Sequence, residues 1–159
     1  MKRLGPDHAL LVQDGVVVLL ARSAPSALMV KQVERTILST ASGRPAGAEV
    51  LYVLIGDRSS VRFEEGMRDE LRGVAKRSAK SIASFSIVVL RDGFIGSAFR
   101  SVITSMMLAL RPHFPARVHA TIQAGVLWLA ETRAKNEPLD AVLLEQTVLQ
   151  AHEALMKDA

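Results

Sequence analysis

The chain of 159 residues contains no cysteine. That excludes a disulfide scaffold, a cysteine nucleophile, an iron–sulfur cluster and a thiolate zinc site. Aromatic residues make up only 4%, with Trp128 the single tryptophan. Stacking platforms for single-stranded nucleic acid are therefore not available in number. Long apolar runs are missing too. Runs such as Val16 to Ala21 and Val126 to Ala130 fall far short of the ~20 residues of a membrane span. The basic start Met1-Lys2-Arg3 leads into Gly5-Pro6-Asp7-His8 and not into an apolar signal region. A cytoplasmic protein is the plain expectation.

Metal and nucleophile signatures are equally thin. His8, His113, His119 and His152 are scattered, and none stands at ligand spacing, so no metal or cofactor is expected. There is no G-x-S-x-G turn for an activated serine. Glu64 and Glu65 are helical neighbours pointing about 100° apart, so they cannot flank one scissile bond. No enzyme is expected.

What the chain does have is an ordinary globular balance, 49% apolar and 23% charged, at a length that suits one domain. The formal net charge is +4, unevenly spread. Residues 1–130 hold 17 Lys and Arg against 10 Asp and Glu, and residues 131–159 hold 3 against 6. The basic residues are dispersed and not run together, which favours an acidic tail packing on its own body over an anionic partner; nucleic acid is disfavoured.

The patterning alternates. Asp14-Gly15 between residues 8–13 and 16–22 predicts an opening hairpin, its second strand apolar on both faces and hence central. Pro25 and Ser26 open a helix over 27–41, closed by Gly43 and Pro45. A strand follows over 49–55, a helix over 62–79 and a strand over 84–90. Residues 91–96 read as a turn and 97–110 as a third helix, with Phe99, Val102, Ile103, Met106 and Leu110 inward. A short strand (116–122), a helix (123–134) and a last amphipathic helix (139–156) complete the order. In the last helix, Leu139, Val142, Leu143, Gln146, Leu149 and Leu155 form the expected inner stripe. The expected fold is α/β with a mixed, mostly parallel five-stranded sheet, its first strand antiparallel. The third helix is apolar beyond one stripe, so either the last helix or a second subunit covers it.

This order resembles the STAS fold, in its SpoIIAA-like branch of anti-sigma-factor antagonists. Tyr52-Val53-Leu54-Ile55-Gly56-Asp57 resembles the family's strand ending in Asp and a loop. Ile87-Val88-Val89-Leu90, with the helix after it, resembles a later strand and helix. Arg117 to Ile122, followed by Ala124-Gly125-Val126-Leu127-Trp128-Leu129, is similar to the late strand and its Trp-Leu helix. The resemblance covers residues 8–134. It implies a STAS-like domain over 1–134, with 135–159 a helix packed on the same or a partner subunit. Phospho-regulated members carry Asp-Ser at the start of the second helix. If Val61-Arg62-Phe63 is matched to that pattern, Glu64-Glu65 stands in the Asp-Ser place here. Ser59 and Ser60 are then read first as helix caps.

The function expected from this likeness is a non-enzymatic regulatory module acting through protein–protein recognition, with a homodimer as one form. The alternative is a small apolar ligand or lipid binder, with a cavity between the third and last helices open at Phe94 and Ile95. Partner- or ligand-binding residues are expected in two loop segments: Asp57, Arg58, Ser59, Ser60 and Arg62 in one, and Arg91, Asp92, Gly93, Phe94, Ile95 and Gly96 in the other. The two glycines before the third helix could cradle an anion, but without the rest of a phosphate loop Gly93 is read as a turn residue. Phe94 and Ile95 are expected to fold back onto the third helix. Otherwise they are the edge of a binding surface.

Overall fold

The computed structural model describes residues 1–56, 67–133 and 137–157. It begins with β1 (Lys2–Arg3), a two-residue strand antiparallel to β2 (His8–Gln13). Asp14 and Gly15 both have positive φ, 49° and 77°, as a two-residue hairpin turn demands. They return the chain into β3 (Val16–Ala21), antiparallel to β2. From there strands alternate with helices. α1 (Ala27–Ala41) leads to β4 (Ala48–Ile55), α2 (Met67–Ser78) to β5 (Ile82–Leu90), and α3 (Gly93–Leu110) to β6 (Ala116–His119). Strands β3 to β6 are parallel. α4 (Ile122–Thr132) and α5 (Ala141–Lys157) complete the chain.

The fold class is therefore α/β with a mostly parallel mixed sheet and a last helix, as the alternation predicts. Among the described residues the sheet has six strands in the order β1-β2-β3-β4-β5-β6, one more than expected. The extra strand is β1. Two charged residues carry no hydrophobic period, so only backbone pairing reveals it.

Local chemistry places the ends. Ser26 caps α1 by accepting from the Met29 amide at 3.3 Å, Thr121 caps α4 from Ala124 at 3.1 Å, and Asp140 caps α5 from Leu143 at 2.9 Å. After α3, Arg111 adopts the left-handed conformation and Pro112 follows, so the helix cannot continue.

β3 is buried at every position. Its side chains alternate between two cores. Val17 and Leu19 join Val50, Met29 and Ile37 beneath α1. Val16, Val18 and Leu20 join Leu51, Val53 and Val88 beneath α4 and α5. Each side chain fully buried this way contributes about 1.5–3 kcal/mol gross. α3 and α4 both lie on β5 and β6, from opposite faces, as right-handed crossovers from β3 through β6 require. Gly125 lets α4 come close: a Cβ there would stand 2.6 Å from a Val88 methyl, and its carbonyl accepts from Ser86 Oγ at 3.2 Å.

α5 packs on β2, β3 and α4. Its buried residues are Leu144, Val148, Ala151 and Leu155; of the stripe expected from the sequence, Leu155 is in the core and Leu139 packs against it, and the rest is not buried. Val142, Leu143 and Leu149 are exposed at 66%, 51% and 41%. The helix is apolar on several sides, so the period alone does not say which side faces the sheet.

Candidate interaction surface

In open α/β sheets, ligands bind beyond the carboxyl ends of the strands, in the crevice where strand order reverses. Among the described strands the order never reverses, so they open no such crevice. The carboxyl ends of β4 and β5 still adjoin, with Ile55 paired to Leu90. Arg91 lies across Gly56 so closely that a Cβ on the glycine would stand 3.1 Å from Arg91 Cδ. The strand ends that lead toward the two loop segments, at Gly56 and Arg91, therefore lie side by side. Of the first, Asp57, Arg58, Ser59, Ser60 and Arg62 lie outside the described residues, as do Glu64 and Glu65.

The second segment is not a turn before a helix. It is the first turn of α3, which begins at Gly93 and not at Ser97. Asp92 occupies the cap position without a side-chain capping bond, and Gly93 enters with φ 72°. Gly96 is the buried residue of this turn. A Cβ there would run into the Arg91 carbonyl, so only glycine lets the helix lie against the end of β5. Arg100, one turn further, donates from Nη1 to the Arg91 carbonyl at 3.0 Å and to Val89 at 3.5 Å. That guanidinium points at backbone carbonyls and not toward an anion at the helix start.

Phe94 and Ile95 do not fold back. They are 87% and 59% exposed, which overturns the packed reading and leaves the surface-edge one. The exposure continues along the helix. Val102 (56%), Met106 (49%) and Leu108 (72%) face outward, although Val102 and Met106 were expected inside. Of the expected inner side, Phe99 and Ile103 are half-buried. The side chain of Leu110, also expected inside, lies outside the described residues; no other hydrophobic side chain of α3 belongs to either core. Between the large residues runs a shallow groove lined by Ser101, Val102, Ser105, Met106 and Ala109. Sequence reasoning missed these small residues; their signal was the four-residue repeat Ser97, Ser101, Ser105, Ala109.

α5 does not cover this face, because it lies on β2 and β3 behind the sheet. For the same reason no apolar cavity lies between α3 and α5. No helix among the described residues is long and apolar enough to cross a membrane. No group of three or more His, Asp or Glu is placed to hold a metal ion, again among the described residues.

On the α4 side of the sheet, at the end of β6, His119 has an altered proton affinity. Its ring meets that of Trp128 at a tilt of 48°, 5.7 Å between centroids, and its Nε2 is buried without a hydrogen-bond partner among the described residues. Burial, aided by the charge of Arg117, holds its pKa below the ordinary histidine value. A ring packed on indole in this way is a neutral packing element.

What these residues offer is an exposed apolar helix face with one charged residue, Arg100, turned back onto the backbone. Comparison of the chain with known protein families, curated proteins and solved structures finds no match.

Proposed function

We propose that this chain is a cytoplasmic, non-enzymatic interaction module with a STAS-like arrangement, and that it acts through the outer face of α3. One observation carries the reading. Among its described side chains, an 18-residue helix contributes no hydrophobic residue to either core, while Phe94, Ile95, Val102, Met106 and Leu108 stand in solvent. Exposed apolar patches of this extent mark contact surfaces. The Arg91–Gly96 turn would frame one end of that surface. The closely held ionic groups support recognition over chemistry, since Glu49 and Arg133 are bound to each other at the opposite end of the strands.

The test is proximity cross-linking in the native cell, with the full chain as bait and Phe94→Asp as the matched control. The reading expects at least one protein held in near-stoichiometric amount by the wild type and lost with the variant. Identical capture profiles for a variant that is folded would overturn it.

A further inference from the structure

We infer that the partner of the α3 face is a second copy of this chain, docked by a two-fold α3–α3 contact. The inference rests on the reading of α3 as a recognition surface and names its occupant. Helix surfaces pack by fitting rows of residues four apart into the neighbouring grooves. On α3 one such row, Phe94, Ala98, Val102 and Met106, carries the large side chains, and all four positions are exposed. The adjacent row, Ser97, Ser101, Ser105 and Ala109, is small throughout and equally exposed. The hydroxyls of Ser101 and Ser105 donate to the carbonyls of Ser97 and Ser101 at 3.1 and 2.9 Å. Their protons are thus satisfied within the helix, and the row presents a shallow trough.

A two-fold axis near Ser101 and Val102 lays the large row of each copy into the trough of the other, at the common crossing of about 50°. Such a contact is isologous: each copy supplies both the ridge and the groove. Charge and area point the same way. The single charged residue of α3, Arg100, is bonded to the backbone, so two copies meet without like-charge repulsion. At roughly 100 Å² of exposed surface each, Phe94, Ile95, Val102, Met106 and Leu108 offer on the order of 500 Å² per copy. Doubled across the axis, that is about 1,000 Å², the threshold of a specific interface.

The absence of cysteine supplies the experiment. Ser101→Cys places a thiol at the axis, within the separation a disulfide needs; Val142→Cys places one on α5, at a position 66% exposed. The full chain is measured by sedimentation equilibrium over a concentration series, and each cysteine variant is oxidised under native conditions. The expected result is a dimer that S101C traps covalently and V142C does not. Val102→Asp should raise the dissociation constant by on the order of a hundredfold while the circular dichroism is unchanged. A monomer at every concentration overturns the inference, and so does a dimer that V142C traps and S101C does not. Should Val102→Asp fail to fold, the S101C trap decides alone. If the chain is monomeric but Phe94→Asp still abolishes capture of another protein, only the self-pairing falls. If it is monomeric and α3 variants change nothing, both readings fall.

Discussion

Arg133 holds both carboxylate oxygens of Glu49, with Nε at 2.8 Å from Oε1 and Nη2 at 2.9 Å from Oε2, and each side chain is 3% exposed. The same guanidinium donates to Asp14 in the hairpin turn, through its side chain at 3.0 Å and its carbonyl. Arg44 adds a bond to Glu137 at 2.8 Å and lies 3.7 Å from Glu49. The end of α4, the start of β4 and the hairpin turn are thereby tied at one point. Burial opposes the Arg133 charge, but the bonds and charges of Glu49 and Asp14 outweigh it and hold its pKa above the ordinary value.

Removing one partner leaves the other charged and buried. Arg133→Met should therefore cost about 3–5 kcal/mol, read as a lower urea midpoint. The double variant Glu49→Leu with Arg133→Met should recover most of that loss, because no buried charge then stands alone. A double variant as unstable as the single would show that the pair contributes by packing alone.

Gly96 sets the approach of α3 to the sheet. Gly96→Ala should push the first turn off the Arg91 carbonyl and loosen the Arg100 bond there, at a cost of about 1–3 kcal/mol. The measurement is thermal unfolding of G96A beside G93A. At Gly93 nothing lies within 4 Å of an added Cβ, so the second variant feels only the strain of φ 72°.

The packing face of α5 is tested by a pair of neighbours. Leu144→Ala should cost about 2–5 kcal/mol, because Leu144 is fully buried against the sheet, whereas Leu143→Ala should stay within about 0.5 kcal/mol. Equal effects would place the helix in another register.

His119 gives the protein a pH dependence of known sign. Its folded pKa lies below the ordinary histidine value of 6.5, so the unfolded chain binds the proton more readily. Stability is retained above pH 6.5 and lost as pH falls from there through the folded pKa. His119→Gln should flatten that part of the profile, measured as urea midpoints across a pH series. An unchanged slope would assign the loss to other groups.

The strands were legible because β3 and β4 are apolar at nearly every position, and only a sheet covered on both faces uses such runs. The helix caps at Ser26 and Thr121 follow from local chemistry that needs no tertiary partner. The misread features depend on distant context. Gly93 and Gly96 looked alike as turn glycines. One is a left-handed entry and the other a helical close approach, a difference set by where β5 ends. The surface on α3 was misjudged because an apolar helix was assumed to be buried, whereas here the large residues are the exposed ones. The Arg133 clamp joins residues 84 and 119 positions apart, and nothing in the neighbourhood of any one of them announces the others.

The strand order also governs how the chain matures during synthesis. Each strand after the first lies beside the one made just before it, so the sheet can grow as the polypeptide leaves the ribosome. The exception is the side of β2 and β3 that receives α5. Val16, Val18 and Leu20 wait for Leu144, Val148 and Leu155, more than a hundred positions later. At ordinary translation speeds the stretch from Ala21 to Lys157 takes roughly 7 to 27 seconds to make. For that interval the nascent sheet displays a greasy flank that holdase chaperones can recognise. Weak variants of α5 will therefore announce themselves first as lost yield in the cell, before any altered behaviour of the purified protein.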